Sequence, residues 1–393
     1  MTAPQGPLPP LVEPGPELTA EEIARYSRHL IIPEVGTVGQ RRLANARVLV
    51  MGAGGLGSPT LLYLAAAGIG TLGIVDFDVV DRSNLQRQVI HSTADVGRRK
   101  TASAAESIAA LNPLVRTRVH DLALTADNAV ELFSGYDLIL DGTDNFATRY
   151  LVNDAAALAG KPYVWGSIFR FTGQVSVFYD DAPGGRGRNY RDLYPDPPPP
   201  GLVPSCAEGG VLGILCATIG SLMGTEAIKL ICGIGEPLLG RLLVYDALAM
   251  TQRTVRFGRD PERAPITALA DDYEAFCGVA RPAVEPADEV TAEQLRAALD
   301  SPSPPVLIDV REPVEWEIVR LPGARLVPKG AVTSGSGLGE IPHDADVVLY
   351  CKTGVRSAEA LLALRAAGLQ RVRHLRGGIV AWAEQVDPAM PIY

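Results

Sequence analysis

The chain has 393 residues, 47% of them hydrophobic and 21% charged, with a formal net charge of −9. At roughly 100 to 200 residues per domain, this is a soluble globular chain of two or three domains, each long enough to bury a core. The acidic balance argues against a general affinity for nucleic acid or for an anionic membrane.

The first 20 residues, beginning "MTAPQGPLPPLVEPGPEL", are rich in proline and lack the positive start and apolar core of a signal peptide. A disordered tail on a cytoplasmic protein is expected. Next, "RVLVMGAGGLGSPTLLYLAAAG" at 47–68 predicts a strand over 47–51, glycines at 52, 54 and 57, and a helix over 58–67. A Gly-x-Gly-x-x-Gly between strand and helix frees backbone N–H groups at a helix N-terminus, where the macrodipole favours an anion. The following strand, 71–76, ends at Asp76, about 20 residues beyond the glycines, where an acid can hydrogen-bond a ribose hydroxyl. Dinucleotide enzymes share this arrangement, so a NAD-dependent oxidoreductase is a reading to weigh.

The segment "DRSNLQRQVIHSTADVGRRK" at 81–100 sets Arg82, Arg87, Arg98, Arg99 and Lys100 against Asp81 and Asp95. A solvated helix face accounts for 98–100 taken alone. Bridging phosphates of a dinucleotide need little beyond backbone N–H groups, whereas a triphosphate and a departing pyrophosphate need cations. The cluster therefore favours ATP. A helix about 98–110 and a strand near 115–120 follow, and then "YDLILDGTDN", whose strand is apolar in the manner of one covered on both faces. The pattern is α/β, a Rossmann-like parallel sheet with helices on either side, and ligands in such sheets sit beyond the carboxyl ends of the strands. Asp144 and Asn145 are thereby placed beside the glycine loop, with Asp144 a natural magnesium ligand.

Residues 181–205, "DAPGGRGRNYRDLYPDPPPPGLVPS", are too rich in glycine and proline for a regular element and form a long loop. From Val211 runs an apolar stretch of 15 residues before Glu226, short of the about 20 that a membrane span needs, so a buried helix is expected and no membrane role. A linker is placed at 258–288. The five cysteines, 206, 216, 232, 277 and 351, contain no Cys-x-x-Cys pair and spell neither a disulfide framework nor a zinc site. Cys216, Cys232 and Cys277 read as inert buried thiols. Cys351 differs: it ends a strand in "DVVLYCKTGVRSAEALLALRAAG", just before a helix and beside Lys352 and Arg356, a setting that stabilises a thiolate. Only "KTGV" separates Cys351 from Arg356, a loop small enough to favour sulfur over a phosphoryl group.

Taken together, "RYSRH" at 25–29, "GAGGLG" at 52–57, "DFD" at 76–78, "SNLQRQ" at 83–88, Lys100, "DGTDN" at 141–145 and "CAEGGVLG" at 206–213 resemble the MoeB/ThiF adenylyltransferases. The resemblance covers about residues 20–256 and defines a domain over 21–257. It implies ATP-dependent adenylation of the C-terminal Gly-Gly carboxylate of a small ubiquitin-like sulfur-carrier protein. It further implies that Gly55, Asp76, Ser83, Asn84, Leu85, Gln86, Arg87, Lys100, Asp144 and Asn145 contact ATP, with Asp144 on Mg2+, and that Arg28 is an arginine finger supplied across a homodimer. Many relatives carry two Cys-x-x-Cys pairs for a structural zinc. The corresponding stretches here read "NYRD" at 189–192 and "APIT" at 264–267, so zinc is expected to be absent and proline-rich packing to hold the loop.

"IDVREPVEWE" at 308–317, "LPGA" at 321–324, the Cys351 loop and "LRGGIVAW" at 375–382 resemble the rhodanese family, giving a second domain over 289–393 with Cys351 as the persulfide-bearing residue. The usual Gly-His-Ile before Pro-Gly-Ala reads "VRL" here. Such a fusion implies that Cys351 accepts sulfur from a donor, thiosulfate or a cysteine desulfurase, and attacks the carrier's acyl adenylate. Cys206 matches the adenylyltransferases' second active cysteine, which either resolves an acyl disulfide or traps the carrier as a thioester. The carrier could serve molybdopterin, thiamine or cysteine assembly. A catalytically inactive carrier-binding scaffold is the remaining alternative.

Overall fold

The computed structural model describes residues 6–198, 209–277 and 284–393, which fall in two compact units, Met1–Val279 and Ala280–Tyr393. In the first unit, apolar residues along β1 (Arg47–Met51) alternate between two cores. Val48 and Val50 enter one, Leu49 and Met51 the other. β4 (Leu138–Asp141) divides in the same way, Leu138 and Leu140 against Ile139. Each fully buried side chain of this size stabilises the fold by about 1.5–3 kcal/mol, and a strand with helices on both faces collects that from every residue.

The other elements of this sheet are β2 (Thr71–Val75), β3 (Arg116–His120), β5 (Tyr163–Phe169), β6 (Thr172–Phe178), β7 (Arg241–Asp246) and β8 (Thr251–Arg256). Their order is β3-β2-β1-β4-β5-β6-β7-β8. The first five are parallel and the last three antiparallel. The helices are α1 (Ala20–Leu30), α2 (Gly36–Asn45), α3 (Gly57–Ala67), α4 (Lys100–Leu111), α5 (Ala129–Ser134), α6 (Phe146–Leu158), α7 (Gly213–Cys232) and the single turn α8 (Tyr273–Phe276). The strands and helices expected between residues 47 and 141 are observed with ends within about two residues of their predicted places.

α7 is long and apolar enough to cross a membrane by length and composition, yet it packs in the core. Gly220 permits a close crossing with α3: a Cβ there would lie 2.6 Å from the Pro59 ring and 2.8 Å from the Leu56 carbonyl. Glu226 is satisfied in this apolar setting by accepting from the Leu238 N–H at 2.8 Å and pairing with Lys229.

Three expectations are corrected. Residues 6–19 of the proline-rich tail are packed chain, not a disordered tail: Leu8 and Val12 are buried in the main core, and Leu11 N–H donates to the Leu230 carbonyl at 3.1 Å. Proline lowers the ordering entropy of an extended strap, and two well-placed apolar residues suffice to dock it. The stretch read as linker is likewise ordered on the first unit as far as Cys277, where Tyr273 and Cys277 are buried and the Tyr273 hydroxyl donates to Asp154 at 2.7 Å.

The third correction concerns the loop expected to rest on proline packing. Arg263 donates to Asp180 and Asp192, both at 2.7 Å, and so ties the chain just before 264–267 to the stretch 189–192. The Arg263 side chain is 5% exposed and that of Asp192 fully buried. Beside this clasp, Arg191 bridges Asp154 at 3.0 and 2.7 Å, and Tyr150, Trp165, Phe178, Tyr190 and Tyr194 stack edge to face. Asn-Tyr-Arg-Asp and Ala-Pro-Ile-Thr offer no thiolate, so these residues do not fit zinc.

The second unit is a five-stranded parallel sheet, β9 (Glu289–Val290), β10 (Val306–Asp309), β11 (Arg325–Leu326), β12 (Val347–Tyr350) and β13 (Val372–Leu375), in the order β11-β10-β12-β13-β9. α9 (Ala292–Leu299), α10 (Pro313–Ile318), α11 (Lys329–Thr333), α12 (Val355–Ala366) and α13 (Gly378–Gln385) cover it.

Arg263→Ala strands a fully buried carboxylate, and thermal or urea unfolding should lose about 3–5 kcal/mol. EDTA should leave the wild-type transition unmoved, whereas a fall on chelation would mean that a metal, not the clasp, holds the loop.

Candidate active sites

The first site lies beyond the carboxyl ends of β1, β2 and β4, a cleft of about 600 Å³. Its floor is the turn from β1 into α3. Gly52 has φ +88°, and a Cβ on Gly57 would stand 1.8 Å from the Gly52 carbonyl oxygen, so the chain can turn this tightly only without side chains. Asp76 braces the turn: one carboxylate oxygen accepts from Ala53 N–H and the other from Asp78 N–H, both at 2.9 Å. His91, buried behind it, bonds the Ala53 carbonyl at 2.9 Å and the Ser103 hydroxyl at 2.8 Å, and burial lowers its pKa.

Of the predicted ATP contacts, Gly55, Asp76, Arg87, Lys100, Asp144 and Asn145 line this one cleft. Lys100, at the start of α4, is 6% exposed and pairs with Asp78 at 2.8 Å. Asp144 is exposed on the loop after β4, above a buried Asp141 whose carboxyl is pushed up by burial and which accepts from Thr143 N–H and hydroxyl at 2.9 and 2.7 Å. Asn145 caps α6, its side-chain oxygen accepting from Thr148 N–H at 2.8 Å.

Ser83, Asn84, Leu85 and Gln86 are not among the lining residues. They form a turn capped by Asp81 that positions Arg87, whose guanidinium donates to the Ser83 carbonyl at 3.0 Å. Arg28 is exposed in the last turn of α1 and does not line the cleft of its own chain. Cys206 lies outside the described residues.

Arg149 and Ser167 also line the cleft and went unnoticed in the sequence. Arg149 donates to the Thr143 carbonyl at 3.3 Å and the Ser167 hydroxyl at 3.0 Å, fixing the Asp144 loop from behind. Its position four residues after Asn145 was the available signal, since that spacing keeps both on one helical face. Asp271 to Glu274, from the stretch read as linker, form part of the wall.

The second site is the loop from Cys351 to α12. Gly354 N–H donates to Cys351 Sγ at 3.1 Å, and Ile379 N–H donates to the Cys351 carbonyl at 2.9 Å. Gly354 has φ +99°, which the reversal over the sulfur requires. Cys351 is only 1% exposed. A sulfur donor must therefore be slim or the loop must open.

The cations expected to flank the sulfur are organised differently. Arg356 faces Glu315, donating to both its oxygens at 2.6 and 2.7 Å, so its charge is already matched. Tyr393 completes the network: its hydroxyl accepts from Arg311 at 2.6 Å and donates to Glu315 at 2.7 Å, while Lys352 Nζ lies 4.6 Å from its ring centre. Arg311 is itself held on Asp309 and is fully buried. Burial would raise the Glu315 carboxyl, but hydrogen bonds from Arg356, Glu312 N–H and Tyr393 hold it at about 2.

The ThiF family profile matches residues 26–265. The chain belongs to the ThiF family. Residues 291–385 match the rhodanese-like domain. The probable adenylyltransferase/sulfurtransferase MoeZ of Mycobacterium tuberculosis is 67% identical over 389 residues, 98% of this chain and 99% of that one. The sulfur carrier protein adenylyltransferase of Thermus thermophilus is 53% identical over 268 residues, 66% of this chain and 98% of its own. The adenylyltransferase and sulfurtransferase MOCS3 of Bos taurus is 41% identical over 424 residues, spanning 100% of this chain and 91% of that one. Among solved structures, E. coli MccB superposes with a TM-score of 0.56 at 22% identity, over 63% of this ThiF-family chain and 73% of MccB, which speaks for the fold alone.

The depressed Glu315 pKa makes a pH prediction. Its stabilisation is complete above the ordinary 4.5 and is lost as pH falls through 4.5 toward 2. The gap in urea midpoint between wild type and Glu315→Gln should be widest near pH 7 and shrink below 4.5. A gap independent of pH would remove the ion pair from the account.

Proposed function

We propose that this ThiF-family chain uses ATP to adenylate the C-terminal carboxylate of a small sulfur-carrier protein and then delivers sulfur from a Cys351 persulfide, leaving a thiocarboxylate. The observation that carries this is the convergence of Gly55, Arg87, Lys100 and Asp144 on one cleft in a chain that also seats Cys351 at a strand-to-helix turn. The named activities of the MoeZ and MOCS3 relatives support it along nearly the whole chain. They leave no support for a nicotinamide oxidoreductase, and the presence of both sets of reactive groups speaks against an inactive scaffold.

The carrier's carboxylate oxygen attacks the α-phosphorus and pyrophosphate leaves with the electron pair of the broken P–O bond. Both reactants are anionic, so the encounter is opposed until charge is cancelled in a site of low dielectric. Arg87 and Lys100 supply that cancellation, and the glycine turn supplies backbone donors at the start of α3. A single cleft carboxylate with phosphate oxygens and waters is the usual donor set for magnesium, so Asp144 fits that ion, which when bound would neutralise phosphate charge. In the second step the persulfide attacks the acyl carbon and AMP departs with the former carboxylate oxygen. A second thiol then attacks Cys351 Sγ, releasing the thiocarboxylate and leaving a disulfide for an external thiol to reduce; Cys206 either takes this role or traps the carrier as a thioester.

Arg28 acts from a second copy of the chain. Its exposure, away from its own cleft, supports action in trans, and the exposed Ile31 and Ile32 that follow it give a second copy apolar surface to cover. A cytoplasmic location, where ATP and persulfide donors are present, would suit this reaction.

Cys351→Ala should keep carrier-dependent pyrophosphate exchange yet make no thiocarboxylate, as read by mass spectrometry, while Lys100→Ala should lose both. Equal thiocarboxylate from wild type and Cys351→Ala would refute the assignment of Cys351. Mixing inactive Arg28→Ala and Lys100→Ala proteins should restore about a quarter of the exchange if subunits reassort freely into two-fold dimers, and no recovery would sink the shared site.

A further inference from the structure

A second cavity in the first unit, about 270 Å³, is lined by four arginines, Arg186, Arg188, Arg241 and Arg256, together with Glu236 and Phe257. Arg241 and Arg256 are direct cross-strand partners at the start of β7 and the end of β8. Like charges in that relation destabilise a sheet. Neighbouring groups relieve only part of the excess. Arg241 pairs with Glu236 at 3.5 Å and donates to the Glu236 and Pro237 carbonyls at 2.9 Å. Arg186 donates to the Gly6 and Pro7 carbonyls at 3.2 Å, and Arg188 to the Gly187 carbonyl at 2.6 Å. The Nε atoms of Arg186, Arg188 and Arg241 are buried without a hydrogen-bond partner. Among the described residues that line the cavity, four guanidiniums thus face one carboxylate, in a chain whose net charge is −9.

The fold holds this arrangement deliberately in place. The Arg188 stem lies against Gly240, whose φ is +73° and where a Cβ would stand 3.7 Å from Arg188 Cγ and Nε. Phe257 N–H donates to the Gly240 carbonyl at 3.0 Å and closes the end of the β7–β8 pair. Carbonyl acceptors orient the guanidiniums but carry no net charge, so the electrostatic cost persists until an anion enters.

We propose that this cavity binds a small inorganic oxyanion carrying two or more negative charges, of the sulfate, phosphate or pyrophosphate class. Planar guanidiniums match tetrahedral oxyanions through paired N–H donors, and the volume admits such an ion with its residual water. The site is separate from the adenylation cleft, with which it shares no lining residue.

Sulfate tests this on the full chain. At millimolar concentration, with ionic strength matched by sodium chloride, sulfate should raise the wild-type thermal midpoint, and crystals soaked in selenate should show anomalous density between Arg188, Arg241 and Arg256. Arg256→Glu places an internal countercharge opposite Arg241 and should weaken sulfate at least about tenfold without lowering the midpoint in chloride. Arg188→Gln should weaken sulfate without that compensation. Pyrophosphate exchange should persist in both variants, which separates failure of this site from failure of the adenylation reading. A sulfate response unchanged in Arg256→Glu, or selenate found only in the glycine-lined cleft, overturns the proposal.

Discussion

Everything in the first unit depends on a turn with no room for side chains. Between β1 and α3 the chain reverses so closely that a methyl group on Gly57 would overlap the Gly52 carbonyl. That closeness leaves backbone donors at a helix N-terminus exposed to a ligand. Asp76 ties the turn to β2, and Asp141 ties the Asp144 loop to β4. Two acids, the half-buried Asp76 and the buried Asp141, thus set the geometry, and the cations Arg87 and Lys100 set the potential. The two tasks are divided between different residues, so the cleft can hold its shape while its charges engage a substrate.

The second unit solves a related problem with the opposite balance. A thiolate in a tight loop needs positive surroundings, yet unpaired buried cations are costly. Arg356 and Arg311 are matched by Glu315 and Asp309, and Tyr393 bridges the two pairs. At the sulfur itself, the Gly354 N–H at the start of α12 donates to Cys351 Sγ.

What could be read in the sequence was what is local. The β1–glycine–α3 unit, the strands to residue 141 and the Cys351 turn all declare themselves through periodicity and glycine placement. The six cleft residues found together were legible because each follows the carboxyl end of a parallel strand or the turn beyond it. Contacts between distant segments were illegible. No pattern links Arg263 to Asp180 and Asp192, or Tyr393 to Arg311 and Glu315, since those pairs are separated by 71 to 83 residues. The proline-rich start misled for a related reason: composition predicts disorder, but Leu8 and Val12 enter the main core and the strap bonds segments as far apart as Arg41 and Leu230. The turn Ser83–Gln86 holds Arg87 through the Ser83 carbonyl, a backbone contact that residue type does not announce.

The central claim is that the carrier's own carboxylate oxygen bonds to the α-phosphorus and leaves with AMP when sulfur arrives. Isotope tracing reads this directly. A carrier whose C-terminal carboxylate is enriched in oxygen-18, turned over with ATP and a persulfide donor, should yield AMP bearing the heavy oxygen on its phosphate together with the thiocarboxylate. Thiocarboxylate formed alongside unlabelled AMP would mean that no acyl adenylate was made, and the mechanism assigned to this cleft would be wrong.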